Sequence, residues 1–131
     1  MAVLILADPL RSPCWLVPIP SSTGDLTANT RLSSMIASFC PGAQVARVII
    51  RTAPIQSQCA RHRLALGPIT AEAHHFKRTP KALTLRQTYL VDNVTTSGHT
   101  LQAARDALGF GTGLVFADAA DRRTQRQATL F

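Results

Sequence analysis

The feature that most restricts the fold is an ordered run at residues 87–101. Tyr89, Leu90 and Val91 are apolar or aromatic, Asp92 and Asn93 follow as an acid and an amide, and Thr95, Thr96, Ser97 and Gly98 lead into His99 and Thr100. Apolar residues then recur at helical spacing as far as Leu108. This order predicts a strand at 87–91, a loop at 92–98 and a helix from His99 or Thr100 to Leu108. Gly109, Gly111 and Gly113 stop that helix, and residues 114–118 predict a further strand.

The same alternation extends through the rest of the chain. Residues 2–7 and 14–19 are apolar runs separated by Asp8-Pro9 and Ser12-Pro13, so two strands are expected. Residues 19–25 form a loop rich in hydroxyls. Leu26, Leu32, Met35, Ile36 and Phe39 then fall near helical spacing until Pro41-Gly42 stops the pattern. Residues 44–51 predict one strand, 52–68 a loop or short helix, and 69–86 at most a short strand near His75 and Phe76 before a turn at Thr79-Pro80. The tail after Ala119 predicts a short helix or disorder. Strands that alternate with helices over 131 residues imply one α/β domain, a mainly parallel sheet flanked by helices.

Composition excludes several classes. Hydrophobic residues make up 46% and charged ones 16%, too apolar for a disordered chain and too weakly charged for a coiled coil. The longest apolar run, residues 2–7, falls far short of a membrane helix and lacks the basic start and cleavage site of a signal peptide. A soluble, cytoplasmic protein without a membrane partner is therefore expected. Cys14, Cys40 and Cys59 are odd in number and widely spaced, which fits buried free thiols better than a disulfide framework or a zinc site. A net charge of +7 favours an anionic partner, either a small phosphorylated metabolite or nucleic acid. The basic residues fall in scattered clusters, which suits several loops better than one groove-tracking helix.

Parallel sheets bind ligands beyond the carboxyl ends of their strands, where the loop at 92–100 is expected. Gly98 permits a tight turn that points successive N–H groups inward, the hydroxyls of Thr96, Ser97 and Thr100 can donate, and a helix start favours negative charge. Asp92 can accept hydrogen bonds from vicinal hydroxyls. Taken alone, Thr-Ser-Gly-His-Thr is better read as an ordinary helix cap and turn. The apolar strand, acidic tip, hydroxyl-rich loop and helix start in sequence point to a phosphate ester.

The segment VDNVTTSGHTL resembles the VDDVxTTGxTL signature of the type I phosphoribosyltransferase family. The resemblance implies a core that binds 5-phosphoribosyl 1-pyrophosphate (PRPP), with Mg2+ held mainly by ligand oxygens and water. By position, Asp92 and Asn93 would meet the ribose hydroxyls, with Asp92 near the metal, and Thr95, Thr96, Ser97, Gly98, His99 and Thr100 would wrap the 5-phosphate. A second segment, LVPIPSSTG, is similar to the first strand and pyrophosphate loop of the ComF-like competence branch, which assigns Ser21, Ser22, Thr23 and Gly24 to pyrophosphate, with Arg31 nearby. RTxPxQxQ and the residues after it look like that branch's flexible loop, making Arg51, Thr52, Gln56, Gln58, Arg61 and Arg63 candidates to close over the ligand. Together these matches span residues 15–118.

The chain departs from the pattern at Asn93, where the signature has a second aspartate. The amide keeps hydrogen bonding but removes a charge beside the metal and beside a developing ribosyl cation. Only a short segment precedes Cys14, so the family's acceptor-binding hood is expected from a partner or second subunit, as in a homodimer, or is lacking. Two functions stay open. One is a phosphoribosyltransferase that transfers to an acceptor or to water; the other is a non-catalytic phosphoribosyl or nucleotide sensor, or a basic nucleic-acid-binding protein with a role in DNA uptake. His74 and His75 are expected on a surface loop, Trp15 and Phe116 in the core, and Asp118 either at the ligand edge or capping a turn.

Overall fold

The computed structural model describes residues 5–6, 10, 12–55, 74–84, 86–95, 99–118 and 127–130. Its strands are β1 (Ile5–Leu6), β2 (Cys14–Pro18), β3 (Ala43–Val45), β4 (Ile49–Arg51), β5 (Phe76–Arg78), β6 (Gln87–Thr95), β7 (Thr112–Asp118) and β8 (Gln127–Leu130). The helices are α1 (Thr27–Phe39) and α2 (His99–Leu108).

Six strands form one sheet in the order β1-β8-β7-β6-β2-β3. The three pairings that matter for the site, among β3, β2, β6 and β7, are all parallel; β8 is antiparallel to β7 and parallel to β1. β4 and β5 pair antiparallel in a separate two-stranded sheet.

The apolar run of β2 is continuous because both of its faces are covered. Cys14 and Leu16 pack with Tyr89, Val91, Leu114 and Ile36 of α1, whereas Val17 and Ile19 pack with Leu90, Val115 and the α2 residues Leu101, Ala104 and Leu108. Successive residues of a strand point to opposite faces, so α1 and α2 lie on opposite sides of the sheet. Gly113 lets α2 approach closely: a Cβ there would stand 2.8 Å from Leu101 Cδ1.

The expected strand at 44–51 is instead two strands in different sheets. Ala46, Val48 and Ile49 are all buried in the α2-side core. A straight strand would send Ile49 to the face opposite Ala46 and Val48, so the chain bends after Val45 and buries all three together. The strand expected at 87–91 continues to Thr95, which makes Asp92 and Asn93 part of β6. Of the tail, expected as a short helix or disordered, residues 127–130 form β8. No helix among the described residues is long and apolar enough to cross a membrane.

His74 departs from its expected surface setting. It is fully buried and stacks on Phe76 with ring centroids 5.5 Å apart, whereas His75 is exposed and adopts a φ of 56°. Trp15 and Phe116 are half-buried; Trp15 packs on the α2-side core, donates from Nε1 to Thr84 O at 3.1 Å and carries the Arg86 guanidinium 4.8 Å above its ring. Cys14 is buried, Cys40 is half-buried and both are free thiols; Cys59 lies outside the described residues.

Candidate functional site

Strand order determines where a crevice opens. From β2 the chain passes through α1 to β3 on one side, then returns to β6 on the other side of β2 and passes through α2 to β7. The connections after β2 and β6 therefore diverge to opposite faces, the topological switch point at which doubly wound sheets bind ligands. Ile19 N donates to Val91 O at 3.0 Å, which brings residue 92 level with the chain leaving β2.

Asp92 occupies this position and is 9% exposed. Its Oδ1 accepts from Asn29 Nδ2 at 3.1 Å and from Asn93 N at 2.9 Å. Burial pushes the Asp92 carboxyl above the ordinary carboxylate value, against the two hydrogen bonds and the Arg51 charge, which pull it down. Asn93 itself is exposed. The pair therefore divides into a buried carboxylate and a solvent-facing amide.

The turn after β2 is built from its own hydroxyls. Ser21 Oγ accepts from Asp25 N at 3.1 Å and lies 3.0 Å from Thr23 Oγ1, while Ser21 O accepts from Gly24 N at 2.9 Å. Gly24 has a φ of +90°, a conformation that side chains disfavour, so the turn needs glycine there. Asp25, the residue before the Leu26 N-cap of α1, accepts from Thr27 N at 2.9 Å and from Thr27 Oγ1 at 2.7 Å. These bonds hold its carboxyl below the ordinary range. Arg31 is exposed on α1.

Arg51 anchors this turn from outside. It ends β4, half-buried, and donates from Nε to Ser21 O at 2.8 Å, from Nη2 to Pro20 O at 3.4 Å and from Nη1 to His74 O, with its guanidinium 4.3 Å above the Phe76 ring. Desolvation lowers the Arg51 pKa to about 10, although Asp92 acts in the opposite direction. Thr52 N donates to His75 O at 2.8 Å, which extends the pairing of β4 with β5, and Ile55 N donates to Ser22 O at 2.8 Å, which ties residue 55 to the same turn. The carbonyls of Ile19, Pro20 and Ser21 are thus all held by side-chain donors. In a trans peptide the N–H opposes the C=O, so the Ser22 N–H is turned away from Arg51. Among the described residues neither Ser22 N nor Thr23 N makes a hydrogen bond to the backbone.

The expected site residues thus fall into three groups. Asp92, Asn93, Ser21, Ser22, Thr23 and Gly24 gather at the switch point, with Arg51 and Thr52 behind the turn. Thr95 ends β6, and His99 and Thr100 open α2, whose first turn faces the same sheet edge by chain continuity. Thr96, Ser97, Gly98, Gln56, Gln58, Arg61 and Arg63 lie outside the described residues. Arg51 was expected in a closing loop; here its hydrogen bonds serve backbone carbonyls instead.

Asn29 was not foreseen. Its signal was nonetheless present, since Asn29 and Ser33 share the face of α1 that carries Ile36, and a polar pair on an apolar stripe calls for a partner. Among the described residues no group of three or more His, Cys, Asp or Glu is arranged to hold a metal.

No protein-family model matches the chain, and no curated protein or solved structure matches it significantly.

Proposed function

We propose that this protein binds a 5-phosphorylated ribose of the PRPP type in the crevice between β2 and β6, and acts at its anomeric carbon as a phosphoribosyltransferase-like enzyme. The observation that carries this reading is the placement of Asp92 beside the exit of β2, which leads into the turn at residues 21–24, at the switch point of a parallel sheet. In this reading Asp92 accepts hydrogen bonds from the ribose hydroxyls, residues 95–100 hold the 5-phosphate at the start of α2, and the Ser22 and Thr23 N–H groups with the hydroxyls of the turn receive pyrophosphate. Mg2+ on the pyrophosphate oxygens would neutralise charge on the leaving group. The bond from C1 to the pyrophosphate oxygen breaks, its electron pair leaves with pyrophosphate, and an acceptor nitrogen or water forms the new bond to C1 and gives up its proton to solvent. Negative charge at Asp92 favours the cationic character that C1 gains on the way.

A sensor that binds without turnover is favoured by two particulars: position 93 offers an exposed amide in place of a second carboxylate, and the Arg51 donors serve backbone carbonyls. Calorimetry with Mg2+ and PRPP, ribose 5-phosphate and a nucleoside monophosphate tests the shared binding claim, and the absence of heat with all three rejects it. Pyrophosphate release from PRPP with a panel of bases, lost in Asp92→Ala, selects the enzyme. Binding without release selects the sensor.

A further inference from the structure

We infer that Asn29 is the residue that positions Asp92, tying its carboxylate to the end of β2 so that the exit of β2 and the stretch of β6 beside it form one rigid receptor. The inference rests on the phosphoribosyl reading for its functional meaning, but its geometry is independent of any ligand. Asn29 is 7% exposed on the inner face of α1, and both N–H groups of its amide find acceptors: Ile19 O at 2.7 Å and Asp92 Oδ1 at 3.1 Å. That arrangement settles the amide orientation, because the flipped amide would set its oxygen against two acceptors. One side chain thereby links three elements, α1, the exit of β2 and β6 at Asp92.

The opposite end of the same amide argues that stability alone does not explain it. Among the described residues Asn29 Oδ1 is buried with no hydrogen-bond partner, as is Ser33 Oγ one turn further along α1. A buried acceptor left unpaired is costly, and an apolar residue would fill this position on the helix without that cost. What an apolar residue cannot do is hold Asp92 Oδ1. With Oδ1 taken by Asn29 and by Asn93 N, the carboxylate plane is fixed relative to the strand ends, which is the preorganisation that recognition of a diol requires.

The groups that act on Asp92 come from each element packed around it: Asn29 from α1, the Asn93 N–H from β6 itself and the Arg51 cation from β4. Asn29 is the strongest of the three in opposing the effect of burial. Its removal therefore moves the Asp92 titration further up and frees the carboxylate to rotate.

The test uses the whole chain, unliganded and liganded, in four forms: wild type, Asn29→Ala, Asn29→Ser and Ser33→Ala. Carbon-detected NMR follows the titration of the Asp92 carboxyl in the unliganded protein, and calorimetry measures Mg2+-PRPP binding near pH 7.5. Both Asn29 variants are expected to titrate at higher pH than wild type and to bind PRPP about tenfold or more weakly, the loss of one hydrogen bond to a charged group. Ser33→Ala, altered one turn away on the same face, is expected to match wild type in both. Should Asn29→Ala fail to fold, Asn29→Ser is read alone, since its hydroxyl is too short to span to Asp92. An unshifted Asp92 titration in a folded Asn29 variant overturns the inference, even where that variant melts earlier, for then Asn29 only packs. Undiminished PRPP binding in such a variant overturns it too. If wild type itself gives no heat with PRPP, the phosphoribosyl reading falls, and the titration alone decides whether Asn29 positions Asp92.

Discussion

Replacing Arg51 tests whether the turn at residues 21–24 is preset or merely allowed. The guanidinium donates to three backbone carbonyls, Ser21, Pro20 and His74, and lies 4.3 Å above the Phe76 ring. Each bond from a charged donor contributes about 1.5 kcal/mol when shielded and less where water competes, as it does around the exposed Ser21. The contact with Phe76 adds about 0.5–1 kcal/mol. Against these gains stands about 1.5–2 kcal/mol of rotamer entropy regained when the side chain is removed. Arg51→Ala should therefore cost about 2–3 kcal/mol. Lysine keeps the charge but only one donor head, without the planar fork that reaches three carbonyls in different directions, so Arg51→Lys should recover less than half of that.

Urea unfolding of the three proteins, monitored by Trp15 fluorescence and by far-ultraviolet circular dichroism, measures both quantities. A loss of 2–3 kcal/mol is a large share of the 5–15 kcal/mol typical of a domain, so the midpoint shift will be plain. A loss under about 1 kcal/mol, or full rescue by lysine, refutes the reasoning, because water would then replace the guanidinium without penalty.

Three further outcomes follow from the same geometry. Asp92→Asn should abolish PRPP binding by calorimetry yet leave urea stability at pH 7 equal to or above wild type, because the amide oxygen can still accept from Asn29 Nδ2 and Asn93 N without the cost of a buried charge. Lowering pH should act on wild type with opposite signs: PRPP binding weakens as Asp92 gains its proton above the usual carboxylate range, whereas between the folded value and the ordinary 3.8 the native state holds a proton that the unfolded chain lacks, so Asp92 adds stability as pH falls through that window; calorimetry on wild type follows the first trend, and Asp92→Asn should lose the second in unfolding titrations. Gly113→Ala should lower stability by about 1–3 kcal/mol in thermal unfolding, since its Cβ would stand 2.8 Å from Leu101 Cδ1, and a variant that melts with wild type would mean that α2 shifts freely.

Much of the architecture was legible because a strand buried on both faces and a helix buried on one leave different periods. The runs at 14–19 and 87–91 and the spacing of Leu101, Ala104 and Leu108 each report a local constraint. What the periods do not report is where a strand changes partners. In QVARVIIR every residue suits a strand, and the bend after Val45 exists only because Ala46, Val48 and Ile49 share one core that is assembled from β2, β6 and α2. His74 was illegible for a similar reason: an adjacent pair of histidines is polar by composition, but Phe76 and the Arg51 anchor give the first of them a buried place.

The site shows the same division, with one consequence for how its residues act. The types at 21–24 and 92–93 are visible in the chain because a tight turn needs Gly24 and an acid and an amide break an apolar strand run where the pairing of β6 with β2 ends. Their relation is not visible, since it depends on Asn29 and Arg51, which reach the crevice from α1 and β4. Both hold the backbone at residues 19–21: Asn29 takes Ile19 O and Arg51 takes the carbonyls of Pro20 and Ser21. Asn29 alone also takes Asp92 directly. A substitution at Arg51 should therefore disturb the turn first and the carboxylate only through its charge, whereas one at Asn29 should disturb both at once. On the phosphoribosyl reading, Arg51→Ala should weaken inorganic pyrophosphate more than ribose 5-phosphate, and Asn29→Ala should weaken both. Equal losses for the two ligands in Arg51→Ala would mean that the crevice responds as one body and that the two anchors have no separate roles.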